Sequence, residues 1–565
     1  MSANAEKVTD RKDPEVRIGV FVCHCGSNIA GYLNCEELTA YAGTLPGVVY
    51  TKNNLYTCSE AGIAEIQQAI KDKDLTRVVV ASCSPRTHMP LFKSACAQAG
   101  LNAYLFEMVN IRDQCSWVHM QEREEAMAKA RDLIRMGVAK AAFLEPQQDI
   151  ESSLVRRAMV IGGGVAGLSS AEALAGMGVE VVLVEKESAL GGLLRNLHRL
   201  APGNDRASER IGALIQRVQA SPNVQIFLES KVVDVGGYIG NYDLVIQDRD
   251  GQTHPFTVGC VVVATGAVPW QPDGLFGYNG KTVITQYELE GLLENEAFRA
   301  KNMVMIQCAG ARSPERTYCS RICCLTAVKN ALFVKERSPD THVHVLYRDI
   351  QMYGTENERL LWESRGKGVR YDVYDATRPP VVKEGLVEFY QPLTGEVVEI
   401  PCDLVVLSTP LVARPEAPAL AQLFRIPADQ NNFFLEAHAK LRPLDFATDG
   451  IFLAGSARYP ATTAEARAQG LGAASRAGTV LFKDKLVSSA LVADINPNTC
   501  VGCQGCLGVC PYGAITYVWE ERICRVNTIL CKGCGNCAST CPSQSARLKG
   551  FTPRQLLSQI RAVVA

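Results

Sequence analysis

The sequence predicts an α/β chain built of two nucleotide-fold lobes, with a smaller parallel-sheet domain before them and a cysteine-rich module after them. Three observations carry this reading. Apolar strands alternate with helical stretches from residue 16 to residue 490, a glycine-rich turn joins a strand to a helix early in the long central segment, and a doubled cysteine run lies near the end. At 565 residues there is room for three or four domains, each with its own core.

Composition narrows the function classes. A formal net charge of −1 argues against a general polyanion binder, so nucleic acid is not an expected partner. The 22 cysteines would suggest disulfides in a small secreted protein. Here they occur in a long chain whose residues 1–15 are polar and read as a disordered tail, not as a signal peptide. Metal clusters and reduced thiols in the cytoplasm are the expectation. No apolar run approaches the ~20 residues that span a bilayer, so direct membrane insertion is not expected.

Residues 16–150 form the first domain. Strands over 17–23, Arg77–Ser82 and 104–109 alternate with helical stretches, and residues 122–142 read as a helix leading onward. Cys23, Cys25, Cys58, Cys83 and Cys115 fall at or just beyond strand ends, the carboxyl edge where open parallel sheets bind ligands. A cluster ligated by Cys25, Cys58, Cys83 and Cys115, with Cys23 in reserve, competes with buried free thiols as the reading. His24 is not assigned as a ligand. Cys35, Cys96, Cys260, Cys402 and Cys524 lack partners at useful spacing and read as structural.

Residues 151–490 hold the two lobes. A strand over 158–161 runs into Gly162-x-Gly164-x-x-Gly167, followed by a helix over Val165–Gly176 and a second strand ending at Glu185. The glycines permit a tight turn, close approach of backbone to a pyrophosphate and close helix–strand packing, and Glu185 is placed to accept hydrogen bonds from ribose hydroxyls. FAD and NAD share this fingerprint. The first lobe covers 156–300 and 411–490, and the second covers 301–410. There the strand over 302–307 leads not into glycines but into Cys308-Ala309-Gly310-Ala311-Arg312-Ser313-Pro314, and Pro314 would interrupt a helix start. Four thiols, Cys308, Cys319, Cys323 and Cys324, suggest a third cluster at nonstandard spacing, with core packing of free thiols as the alternative.

Residues 491–550 carry the strongest signal. Cys500-x-x-Cys503-x-x-Cys506-x-x-x-Cys510-Pro511 is repeated as Cys531-x-x-Cys534-x-x-Cys537-x-x-x-Cys541-Pro542. This is the bacterial ferredoxin arrangement for two [4Fe–4S] clusters, in which the fourth cysteine of each run serves the other cluster. One cluster takes Cys500, Cys503, Cys506 and Cys541, and the other Cys531, Cys534, Cys537 and Cys510. Zinc and disulfides do not explain two matching runs of four, each followed by proline. Residues 551–565 read as a covering helix.

Two resemblances extend this reading. Leu190-Gly191-Gly192, Val263-Ala264-Thr265-Gly266 and Gly450-Ile451-Phe452-Leu453-Ala454-Gly455-Ser456, in this order after the glycine turn, resemble the thioredoxin-reductase-like flavoproteins, where such motifs surround FAD. The likeness implies a two-lobed Rossmann flavoprotein core, with further FAD contacts from Val165, Ala166, Lys186, Leu193 and Val232. That family usually has aspartate where Ser456 stands, which alters the expected ribityl contact. Cys308 with Cys319-Ser320-Arg321-Ile322-Cys323-Cys324 resembles the A-type subunits of heterodisulfide reductase, as do Tyr56-Thr57-Cys58-Ser59, Ser82-Cys83-Ser84-Pro85-Arg86 and Gln114-Cys115-Ser116-Trp117. This second resemblance covers about residues 16–550. It implies a [4Fe–4S] cluster on Cys308, Cys319, Cys323 and Cys324 beside FAD, four clusters in all, and Lys329 at the flavin N5 as the catalytic residue. Methanogen versions carry a ferredoxin module inserted after the flavin Gly-Gly, and no such cysteines follow Gly192 here.

The expected function is that of an FAD and iron–sulfur oxidoreductase subunit, passing electrons between a two-electron donor, ferredoxin and a disulfide-type acceptor by bifurcation or confurcation. A non-bifurcating quinone-linked relay and an NAD(P)H:ferredoxin oxidoreductase are the competing readings. Expected partners are B- and C-like heterodisulfide reductase subunits, ferredoxin and a hydrogenase- or dehydrogenase-type input subunit, with a homodimer inside the larger complex.

Overall fold

The computed structural model describes residues 15–564, so residues 1–14 of the expected tail lie outside the described residues. The chain divides into two compact units. One joins the residues up to 151 with those from 487 onward, and the other is residues 152–486. The N-terminal domain and the ferredoxin module, expected as separate domains, thus belong to one unit.

In that first unit, four parallel strands lie in the order Val48–Asn54, Ile18–Cys23, Arg77–Ser82, Phe106–Asn110. All six residues of Ile18–Cys23 are buried. A continuous apolar run of this kind is what a parallel strand covered on both faces requires. The Arg123–Ala141 helix covers one face through Ala126, Ala130, Ile134 and Val138. The C-terminal helix Pro553–Val564 packs along it. Two hydrogen bonds tie the distant segments together: the Gln555 amide donates to the Phe143 carbonyl (2.8 Å), and Ala490 N–H donates to the Tyr104 hydroxyl (2.8 Å).

The ferredoxin module is built from two short antiparallel pairs, Ala493–Ile495 with Ala546–Leu548 and Ile515–Val518 with Ile523–Val526. So small a module has little apolar core. Half of its buried cluster is cysteine: Cys506, Cys524 and Cys537 with Ala493, Ile515 and Ala546.

The second unit contains two parallel five-stranded sheets. The first runs Ile451–Leu453, Cys260–Val263, Arg157–Ile161, Glu180–Val184, Val224–Phe227. The second runs Val283–Thr285, Leu404–Leu407, Asn302–Ile306, His342–Tyr347, Arg370–Val373. In each, a central strand is followed by a loop and a helix: Arg157–Ile161 by Val165–Gly176, and Asn302–Ile306 by Cys323–Arg337. No helix among the described residues is long and apolar enough to cross a membrane.

Candidate functional site

The first strand–loop–helix makes one wall of a cleft of about 1460 Å³, counting its open mouth. The sequence explains the wall locally. A Cβ on Gly167 would stand 1.8 Å from the Gly162 carbonyl oxygen, so only glycine lets this helix sit against the loop. A Cβ on Gly164 would meet nothing, which leaves the backbone open to the cleft at the helix N-terminus. The buried Glu185 fixes the loop by accepting from Gly163 N–H (2.6 Å) and Glu187 N–H (2.9 Å). An open backbone cradle at a helix N-terminus, backed by a carboxylate, fits the pyrophosphate and ribose of a dinucleotide.

Most predicted cofactor residues line this cleft: Gly162, Gly164, Val165, Ala166, Glu185, Gly191, Gly192, Leu193, Ala264, Thr265, Gly266 and Ser456. Four do not. Gly167 acts through packing, as above. Lys186 is directed to Glu416 (2.7 Å), because both side chains are surface groups of opposite charge. Val232 is in the core with Tyr242 and Leu244. Gly455 has its N–H held by the Gln469 side chain (3.0 Å). Ser456 Oγ accepts from Ala461 N–H (3.3 Å), an internal bond in place of the family's aspartate contact.

Sequence reasoning missed two features of the cleft. The helix Thr463–Leu481 points its N-terminus into it, with Thr462 and Glu465 forming a complete capping box, and the Thr-x-x-Glu spacing is a readable signal for that terminus. The other is Glu290. By sequence alone Lys329 is an ordinary helix-surface lysine, but its ammonium is buried on the cleft wall. It donates to the Arg199 carbonyl (2.8 Å) and pairs with Glu290, which is itself fully buried and also accepts from His198 N–H (2.9 Å). Burial pulls the Lys329 ammonium below the ordinary lysine range, and Glu290 opposes that shift.

The second strand–loop–helix builds a cage. Cys308, Cys319, Cys323 and Cys324 line a cavity of about 280 Å³ together with Gln307. Residues 307–322 form no helix, and the helix starts only at Cys323. Cys323 lines both this cage and the large cleft. Burial pushes the Cys323 thiol up to about 12 and Cys324 up to about 11, so bare thiolates are disfavoured here and need a bound cation. The fully buried Gln307 side chain has neither its nitrogen nor its oxygen hydrogen-bonded. A polar group orphaned beside four thiols fits a sulfur-rich occupant.

The ferredoxin module has two such cages. Cys500, Cys503, Cys506 and Cys541 line one, and Cys510, Cys531, Cys534 and Cys537 line the other. These are the two interleaved sets that the spacing predicts. Backbone N–H groups already point at sulfurs: Ala493 at Cys531 (3.3 Å), Ala514 at Cys510 (3.3 Å) and Ala546 at Cys541 (3.5 Å). Burial opposes ionisation of Cys541, but hydrogen bonds from Ala546, Ser543 and Ser545 outweigh it and hold the thiol below its ordinary value. Cys524, read as structural, lies in the first of these cages. Among the described residues, no group of His, Cys, Asp or Glu converges tightly enough for a single metal ion. A cubane places its four thiolates on separate irons and therefore further apart.

In the N-terminal domain one of the predicted thiols is turned into the core. Cys115 is buried beneath the Arg123–Ala141 helix with its thiol donating to the Ala126 carbonyl (3.1 Å), because the turn after the fourth strand, Arg112–Ser116, rotates it into the core. Cys58 and Cys83 each feel Cys23, Cys25 and Arg112, whose guanidinium reaches Cys25 (3.7 Å), and Cys35 also feels Cys23. Cys23, the reserve ligand, is among these thiols, and Cys115 is not.

Residues 156–470 match the family model for pyridine nucleotide-disulphide oxidoreductases, and residues 493–544 match that for a 4Fe-4S dicluster domain. The A-type iron-sulfur subunit of a CoB–CoM heterodisulfide reductase from Methanopyrus kandleri is 36% identical, the match covering 90% of this chain and 92% of the relative. The chain belongs to the family of heterodisulfide reductase A-type subunits. A second member, the A-type subunit of the H(2):CoB-CoM heterodisulfide,ferredoxin reductase of Methanothermobacter thermautotrophicus, is 34% identical over 99% of both chains. That alignment spans 658 positions against 565 residues here, so this relative carries residues without a counterpart in the present chain. Thioredoxin reductase of Lactococcus lactis aligns structurally with 58% of the chain and 99% of its own, at 16% identity and a TM-score of 0.42. As a member of the heterodisulfide reductase family, the protein is an oxidoreductase and electron-transfer subunit that carries FAD and [4Fe–4S] clusters.

Proposed function

We propose that this protein is the branching point of a heterodisulfide-reductase-like complex, exchanging electrons between a two-electron donor, ferredoxin and a disulfide-type acceptor by bifurcation or confurcation. The observation that carries the proposal is Cys323, which borders both the dinucleotide cleft and the cysteine cage. FAD bound in that cleft supplies the exchange between two-electron and one-electron chemistry. The chain's own residues do the rest. The glycine loop and Glu185 hold the cofactor, and the buried Lys329 ammonium presents a positive charge and a hydrogen-bond donor to the cleft as the candidate catalytic group. Cys308, Cys319, Cys323 and Cys324 hold a cluster on the cleft wall, Cys23, Cys25, Cys58 and Cys83 a second, and the two ferredoxin cages the remaining pair of four.

Two relatives are named as ferredoxin-dependent or ferredoxin-coupled heterodisulfide reductase subunits, which supports ferredoxin as one partner. B- and C-like subunits, an input subunit of hydrogenase or dehydrogenase type and a second copy of this chain complete the proposed assembly. The second lobe has cysteines where a nicotinamide nucleotide would need glycines, which argues against direct reduction by NAD(P)H. The test is to mix the anaerobically purified chain with reduced ferredoxin or with NADH or NADPH. Reduced ferredoxin should bleach the flavin absorbance and the nicotinamides should not. Rapid bleaching by NADH or NADPH would overturn the proposal.

A further inference from the structure

The two halves of the ferredoxin module superimpose in sequence at an offset of 31 residues, which carries Cys500 onto Cys531 and Cys510 onto Cys541. The same offset relates the walls of the two cages. Val526 lines one where Ile495 lines the other, Ala514 answers Ser545, and Ile515 answers Ala546. At one position the correspondence changes chemistry. Ala493 contributes a methyl group to the cage of Cys510, Cys531, Cys534 and Cys537, and its counterpart Cys524 contributes a thiol to the cage of Cys500, Cys503, Cys506 and Cys541.

Cys524 is 1% exposed and is set in the Ile523–Val526 strand opposite Tyr517. It packs in the same buried cluster as Cys506 and lines the same cage. The loop of the first cage is pressed onto this hairpin: a Cβ on Gly502 would stand 2.3 Å from the Arg522 carbonyl oxygen, so the Cys524 side is held against the cage. Once Cys506 ligates iron it has no proton and can only accept. Cys524 is then the partner that carries the S–H donor.

We propose that Cys524 donates its S–H to the Cys506 thiolate and thereby raises the potential of the first ferredoxin cluster. This rests on the ligand sets given above. Reduction adds negative charge to a cluster, so a donor on its sulfur stabilises the reduced state more than the oxidised one, and hydrogen bonds to the sulfurs are among the features that set such potentials. The twin cluster, with a methyl group at the equivalent place, lacks this bond.

The test is an anaerobic redox titration of the whole chain followed by electron paramagnetic resonance, with iron counted in each variant. Cys524→Ala should keep all its iron and shift one ferredoxin-type midpoint to more negative potential, leaving the other in place. Cys524→Ser, which keeps a donor, should hold the midpoint closer to that of the parent. Ala493→Cys should raise the second midpoint, and it reads the proposal independently should Cys524→Ala not fold. Unmoved midpoints in both Cys524→Ala and Ala493→Cys overturn the proposal. Loss of about four irons in Cys524→Ala overturns it too, by making Cys524 a ligand. A parent chain without two ferredoxin-type signals overturns the ligand sets themselves.

Discussion

The two strand–loop–helix units of residues 152–486 occupy equivalent places in two parallel sheets, yet their loops are built by opposite means. After Arg157–Ile161 the turn is three glycines long and the helix begins at Val165. After Asn302–Ile306 the chain wanders through residues 307–322 before the helix begins at Cys323. The first loop removes side chains so that backbone N–H groups can approach a phosphate. The second supplies side chains, and it does so at a conformational cost: Cys308, Arg312 and Arg321 all adopt left-handed backbone angles without being glycine. Such conformations persist where the surroundings over-determine them. The lesson is that a carboxyl-edge site can be converted from a nucleotide cradle to a thiolate cage while the sheet beneath it is kept.

The comparison can be broken most severely at Gly167. Gly167→Val would drive a side chain into the Gly162 carbonyl, and we expect loss of bound flavin with destabilisation of roughly 3 kcal/mol or more, read by flavin content and thermal unfolding. Next is Glu290→Gln, which leaves the Lys329 ammonium buried without its countercharge. Breaking a buried pair on one side costs roughly 3 kcal/mol. The sign with pH follows from the direction of the shift. Burial lowers the folded-state value of Lys329 below 10.5, so the unfolded chain binds the extra proton and stability rises as pH climbs toward that value. Glu290→Gln removes the opposing charge, and its unfolding midpoint should therefore gain more from raised pH than that of the parent. An identical pH slope in both would contradict the pairing.

Gln307→Leu sharpens the contrast on the cage side. With neither end of its amide hydrogen-bonded, replacement by leucine should stabilise the chain by about 1 kcal/mol in denaturant melts. The smallest effect is expected for Lys186→Ala. Its partner Glu416 is a surface group, so stability should change by no more than about 0.5 kcal/mol and flavin content should stay at the parental level.

The glycine cradle is legible in the sequence because its chemistry is carried by spacing over six residues, and the ferredoxin cages are legible for the same reason. Legibility fails where a side chain's direction depends on tertiary packing. Cys23 ends one strand and Cys115 lies just beyond another of the same sheet, and only the turn at Arg112–Ser116 decides that the latter faces the core. Lys186 follows Glu185 directly, but the strand's end turns its side chain toward Glu416 on another segment. Lys329 gains its setting from Glu290, 39 positions away, which no local pattern announces. Cys524 stands outside the Cys-x-x-Cys runs, so spacing says nothing of it. Its meaning appears only when the two halves of the module are laid over one another.

The measurement that bears most directly on the conversion of the second loop is an iron and flavin count on the anaerobically purified chain beside its Cys323→Ala variant. The account predicts one FAD with about sixteen irons in the parent and one FAD with about twelve in the variant. Equal iron in the two, or about eight irons in the parent, would contradict it.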